Sequence, residues 1–203
     1  MVGIENFYPK TKQHLRKWLE KNHLTKDAVW FIFYKKHTGK PTVNWSDAVD
    51  EALCFGWIDS KAETIDNDTF RQYFCKRKPN STWSKINKQK IEILKSQGLV
   101  TPAGLAVIGV AKQNGSWTVL DEVEELTIPS ELEKAFEKFE NSKEFYLSLS
   151  KSKKKVLLQW IALAKTVATR QNRILEIVEN ASQQQQPKQF RLKNETHNNG
   201  AHL

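Results

Sequence analysis

The sequence predicts an α+β protein: a small, mostly antiparallel three-stranded sheet flanked by helices, followed by a C-terminal helical segment. Three observations predict it. Residues 28–36 run through Val29, Trp30, Phe31, Ile32, Phe33 and Tyr34, β-branched or aromatic at every position, as in a central strand covered on two sides. Two further strand-like runs, 57–65 and 69–77, are separated by the turn residues Asp66-Asn67-Asp68. Beyond Pro129 the apolar period changes from 2 to 3.6, which marks helices.

Taken in order, Leu15, Trp18 and Leu19 form the apolar stripe of a helix over 10–22, with Lys12, Arg16, Lys17 and Lys21 on its wet face. After the central strand, Gly39-Lys40-Pro41 is a turn. Asn44 then caps a helix over about 44–55, on which Trp45, Ala48, Val49, Ala52 and Leu53 recur at helical spacing. Gly56 ends this helix, because glycine takes a left-handed backbone without a Cβ penalty. A three-residue hairpin loop sets Glu63 opposite Arg71, Asp59 opposite Cys75 and Trp57 opposite Arg77. Pro79-Asn80-Ser81 breaks the strand before a helix over about 82–97, and Thr101-Pro102 opens another that Gly115 closes. Residues 116–128 read as a connector with an acidic run from Asp121 to Glu125. Four short amphipathic helices follow, the third behind Ser150 and the fourth capped by Thr169. The expected division is an α+β domain at 1–120, a helical domain at 121–180 and a disordered polar tail at 181–203.

Seven Trp and ten Phe in 203 residues supply a core, while two cysteines provide no disulfide framework. No apolar stretch approaches membrane-spanning length, so no membrane insertion is expected and the chain reads as cytoplasmic. The net charge of +9 is uneven: residues 1–120 hold 19 Lys and Arg against 11 Asp and Glu, a balance of +8. Such a field attracts phosphates and nucleic acids, and also simply keeps a protein soluble.

The helix face opposite the apolar stripe carries Asp47, Asp50, Glu51 and Cys54, and Asp59 follows close by. Asp47 and Glu51, one turn apart, have the spacing of an acid–base pair or of a shared cation, but also that of a solvated helix face. Asp59 sits at a strand start, where an acid needs a partner, and Arg77 is the best available. A structural ion pair and a ligand-binding pair read alike there. Cys54 has no histidine in a recognisable Cys-His signature. CxxC, HxxxH and Gly-rich phosphate loops are absent, so no metal and no cofactor are expected, and no catalytic set is assigned. Residues 71–95 carry eight cations against the single acid Glu92, with Trp83 in their middle. That mixture suits single-stranded nucleic acid, or a small anion at the helix start around Ser81 to Ser84.

Three blocks resemble the YdeI/OmpD-associated, or bacteriocin-protection, family. The first is Lys35-Lys36-x-x-Gly39. The second is Trp45-x-x-Ala48-Val49-x-Glu51-Ala52-Leu53-Cys54-Phe55-Gly56-Trp57-Ile58-Asp59-Ser60. The third is Arg77-Lys78-Pro79-x-Ser81-x-Trp83-Ser84-x-x-Asn87. Ile128-Pro129-x-x-Leu132, Trp160-Ile161-x-x-Ala164-Lys165 and Thr169-Arg170-x-x-Arg173-Ile174 resemble its helical C-terminal segment, so the likeness spans about 7–180. Cys75-Lys76 departs from the expected Thr-Pro before the arginine. The resemblance implies a bacterial protein with a role in tolerance to antimicrobial peptides or envelope stress, and it supplies no catalytic mechanism.

The resulting expectation is a non-enzymatic binding protein. Its ligand residues are Lys35, Lys36, Trp57, Asp59, Arg77, Trp83, Ser84 and Asn87, converging at one end of the sheet. Its partner is a small anion or a protein. The alternatives are nucleic-acid binding through residues 71–95 with Trp83, and an enzyme using Asp59 or Cys54. In a competing account, Asp59 and Arg77 form a buried structural pair and both tryptophans are core.

Overall fold

The structure, a computed structural model, describes residues 4–191. The chain forms two compact units that divide between Thr118 and Val119.

The first unit is built on a four-stranded mixed sheet in the order β1-β2-β4-β3, with β1 Asn6–Phe7, β2 Ala28–Tyr34, β3 Trp57–Thr64 and β4 Thr69–Lys76. The α+β class is as expected, but the three-stranded sheet gains a fourth strand. β1 pairs parallel to β2 through only two residues, too few to leave a period in the sequence. The other pairings are antiparallel.

Helix α1 (Lys12–Asn22) is capped by Thr11, and α2 (Trp45–Cys54) by Asn44, whose side chain accepts from the Asp47 amide. Both helices bury their stripes with Val29, Phe31, Phe33 and Phe74 of the sheet, and Trp18 meets Phe31 at 5.3 Å and Trp57 at 6.1 Å. The expectation that β2 is covered on both sides holds only at one end of the strand. Val29, Phe31 and Phe33 are in the core and Trp30 on the other face is buried, whereas Ile32 and Tyr34 on that face are only half-buried.

Asp66 Oδ1 accepts from the amides of Asp68 and Thr69 and closes the hairpin. From there Glu63 opposes Arg71 as expected, but a bulge between Asp59 and Ala62 shifts the rest of the ladder by one. Asp59 therefore lies opposite Phe74 rather than Cys75, and Trp57 opposite Lys76 rather than Arg77.

Gly56, at φ 75, turns the chain from α2 into β3. Helices α3 (Lys85–Ser96) and α4 (Pro102–Gln113) complete the unit. Thr101, the α4 N-cap, donates both its amide and its hydroxyl to the Cys54 carbonyl, at 2.9 and 2.8 Å. A Cβ on Gly104 would sit 2.4 Å from that same oxygen, so only glycine allows this approach.

The second unit is helical: α5 Asp121–Glu124, α6 Ser130–Phe136, α7 Ser142–Ser148, α8 Lys151–Ala162 and α9 Val167–Ser182. Leu132, Phe136, Tyr146, Leu157, Ile161, Ile174, Ile177 and Val178 form its core. Val123 of the expected connector belongs to that core. The cap of α9 is Thr166, whose hydroxyl accepts from the Thr169 amide, so the helix starts a turn earlier than expected. It also runs past Ala181, which is buried, and Phe190 meets Trp160 at 5.3 Å. The polar tail thus keeps contacts as far as residue 191, because Phe190 packs on Trp160 and the Arg191 guanidinium donates to Asn180 Oδ1 at 2.7 Å. Residues 192–203 of the expected tail lie outside the described residues. No helix among the described residues is long and apolar enough to cross a membrane.

Candidate functional site

The acids grouped by the sequence are dispersed by the fold. Glu51 is 2% exposed and pairs with Arg16 at 2.9 Å, with Lys12 at 3.8 Å. Arg16 also donates to the Leu99 carbonyl at 3.1 Å, so it ties α1, α2 and the loop before α4 together. Asp50 pairs with Lys90 of α3 at 2.5 Å, and Asp47 bonds the Asn44 side chain. No two of these carboxylates are left facing one another as an acid–base pair. Cys54 is fully buried, and burial, followed by the nearby Glu51 charge, pushes its thiol up to about 11. A thiol with that value is protonated at neutral pH and is a poor nucleophile, which removes the cysteine version of the enzyme reading.

Of the expected ligand residues, Trp57, Asp59, Arg77, Trp83, Ser84 and Asn87 lie at or near one end of the sheet, and Lys35 and Lys36 do not. β2 runs antiparallel to β4, with Tyr34 opposite Thr69 and Ala28 opposite Cys75. Lys35 therefore emerges at the hairpin tip, donating to the Asp66 carbonyl at 2.9 Å, about 30 Å along the strands from Arg77. Convergence of these two lysines with Arg77 was the wrong expectation, because it required β2 to end where β4 ends.

Trp57 is 1% exposed and packs under α1, its indole N–H toward the His23 carbonyl at 3.4 Å. Trp83 is also 1% exposed and meets Trp117 at 4.9 Å. Both are core side chains. Trp83 therefore offers no face to a base, and the nucleic-acid reading loses the aromatic on which residues 71–95 depended. Two cations of that stretch are paired away from Trp83: Lys76 with Asp27 at 3.0 Å and Lys90 with Asp50. Ser84 caps α3, its hydroxyl accepting from the Asn87 amide at 3.2 Å.

Asp59 and Arg77 do not form the expected pair. The one-residue shift at the bulge turns Asp59 to the side of Phe74, away from the alternation that carries Cys75 and Arg77. There its carboxylate accepts from the Trp45 indole N–H and from Gln72 Nε2, both at 3.0 Å. Trp45 and Gln72 were missed by the sequence reading. Trp45 looked like part of the α2 stripe, yet it is 51% exposed. Gln72 is buried and also donates to the Ser60 carbonyl within the bulge.

Arg77 is the unusual group. It is 7% exposed and lies 3.7 Å over the Trp83 ring, with Nη1 donating to the Thr82 carbonyl at 3.0 Å. Its Nε is buried without a hydrogen-bond partner. Among the described residues no carboxylate is in ion-pair contact with it; Asp59 acts on it only through its field. Burial pulls the guanidinium down to about 10, against the attraction of Asp59. Arg77 is thus a buried cation with a free donor, eight residues ahead of the first residue of the helix capped by Ser84.

Two family models match the chain. Residues 7–107 match a domain of unknown function, DUF8412, and residues 125–184 match the family described as bacteriocin-protection, YdeI or OmpD-associated. The family seen in the sequence thus falls on the second unit, and the block around Gly56 falls under the other model. No curated protein and no solved structure matches the chain.

Proposed function

Residues 125–184 form a YdeI/OmpD-associated domain, and on that premise we propose that the protein is a non-enzymatic, cytoplasmic contributor to bacteriocin, antimicrobial-peptide or envelope-stress tolerance. It acts by binding an anionic group, a carboxylate or a phosphate, at Arg77. The domain match supports the cellular role. The observation that carries the binding site is the buried Arg77 guanidinium, with its Nε unpartnered and no carboxylate in contact among the described residues. An anion there would complete the hydrogen bonding and relieve the cost of an isolated buried charge. Direct capture of cationic peptides is disfavoured by the +8 balance of residues 1–120, which repels them at long range.

The test is survival of a bacterial strain deleted for the gene under challenge with a cationic peptide or a bacteriocin. Restoration by the wild-type gene and failure of Arg77→Gln, at equal protein level, is the expected result. Unchanged sensitivity on deletion would sink the cellular role. Full rescue by Arg77→Gln would sink the site.

A further inference from the structure

We propose that the open face of the first unit's sheet binds single-stranded nucleic acid. This face is distinct from Arg77 and from Trp83; of the 71–95 stretch it takes only Arg71 and Tyr73. Strand alternation places Trp30, Ile32 and Tyr34 of β2, Arg71 and Tyr73 of β4, Glu63 of β3 and Asn6 of β1 on it. Trp30 is 6% exposed, yet it belongs to neither apolar cluster of the protein. It is covered by the Arg71 guanidinium 4.3 Å over the ring, Lys61 at 5.0 Å, and the Tyr73 ring at 5.1 Å, edge-on.

Arg71 is held in place as a plane. Its Nε and Nη2 donate to Glu63 Oε2 at 3.1 and 2.7 Å, and its Nη1 donates to Asn6 Oδ1 at 3.4 Å. One side of the guanidinium lies on the indole, and the side chain is 32% exposed. The outward side is a flat, pre-ordered cationic surface beside the half-buried Tyr73. Four residues along β2, the Tyr34 ring carries Lys40 at 4.7 Å.

Aromatic rings and guanidinium planes on the two middle strands of a sheet are what unpaired bases stack on, and flanking lysines suit the phosphates between them. The charge is complementary: of the chain's net +9, residues 1–120 hold +8. Lys61 over the Trp30 ring counts against a protein partner, since interface centres are depleted in lysine. Duplex DNA fits less well because its bases are already stacked on each other.

The experiment is fluorescence anisotropy of labelled oligothymidylate and oligouridylate with the full chain, at low and at physiological salt. Binding is expected at low salt and weakens steeply as salt rises. Tyr73→Ala and Arg71→Lys are each expected to lower affinity about tenfold, the second because it keeps the charge and loses the plane. Thermal melts establish that both variants fold, and Lys151→Ala on α8 serves as a control with wild-type affinity. Absence of binding at low salt overturns the proposal. So does wild-type affinity in both folded variants, or a duplex competing as well as the single strand. Because the readout is direct binding by purified protein, it stands or falls separately from the tolerance phenotype and from Arg77.

Discussion

Two arginines of the first unit lie over tryptophans, and their surroundings differ in every other respect. Arg77 sits 3.7 Å over Trp83, 7% exposed, one donor unpaired and no carboxylate in contact. Arg71 sits 4.3 Å over Trp30, partly exposed, with two of its nitrogens on Glu63. The first stack is part of the core, and its cost is the desolvation of a charge. The second lies outside both cores, and its charge is balanced by a neighbour at the surface. The same pair of residue types therefore makes a buried cation without a carboxylate in one place and a partly exposed, paired one in the other. The deciding variable is access to water and to a carboxylate.

The largest difference should appear when the rings are removed. Trp83→Ala leaves a cavity beneath a buried cation and is expected to cost about 3–5 kcal/mol. Trp30→Ala, which uncovers only side-chain ends, should cost about 1–2 kcal/mol. Urea denaturation of the two variants measures both. Equal losses would erase the distinction between a core stack and a surface stack.

Next comes the charge itself. Arg77→Met keeps the stem over Trp83 and removes the isolated cation, so the ligand-free protein should gain about 1–2 kcal/mol, net of the lost bond to Thr82. The same comparison has a pH signature. The folded-state value of Arg77 lies near 10, below its ordinary range, so the folded protein releases that proton before the unfolded chain does. Stability linked to this release is absent below pH 10 and grows as pH rises above it. The advantage of Arg77→Met should accordingly shrink between pH 9 and pH 11, read as the difference in urea midpoint. An advantage that stays constant over this interval would show that Arg77 keeps its proton in the folded protein, as an arginine with a partner does.

The second unit offers a smaller analogue. Tyr146 is 1% exposed, its hydroxyl has no hydrogen-bond partner, and burial pushes it up to about 12. Tyr146→Phe should therefore stabilise the protein by about 1 kcal/mol, measured as a shift in urea midpoint. Destabilisation would reveal a partner for that hydroxyl. Arg71→Met should have the least effect on stability, since its ion pair with Glu63 is exposed to solvent and salt. A loss matching that of Trp83→Ala would instead make this stack structural.

What the sequence disclosed was what is decided locally. The aromatic run of β2, the Asp66 turn, the caps Asn44, Thr101 and Ser150, and the left-handed Gly56 each depend on residues within a few positions. What it withheld depends on distant partners. Glu51 looked like part of a wet acidic face because its partner, Arg16, lies 35 residues upstream. Lys35 was assigned to the wrong end because strand order decides where β2 finishes. The Asp59 contacts were invisible because one extra residue in β3 leaves no mark in composition or period. Arg77 could be named from its position, but its lack of a partner is a property of the folded surroundings alone.

That extra residue has a consequence for self-association. β3 is the outer strand of the sheet, and an unbroken outer strand of eight residues is a template on which a second molecule can pair. The bulge at Ser60 and Lys61 interrupts the outward row of donors and acceptors, and Gln72 reaches across from β4 to occupy the Ser60 carbonyl. At the opposite border β1 is only two residues long. Shortening the chain by Ser60 would preserve both halves of the β3–β4 pairing and make that border flush. The folded sheet would survive, and what it would lose is its resistance to stacking edge to edge at high concentration.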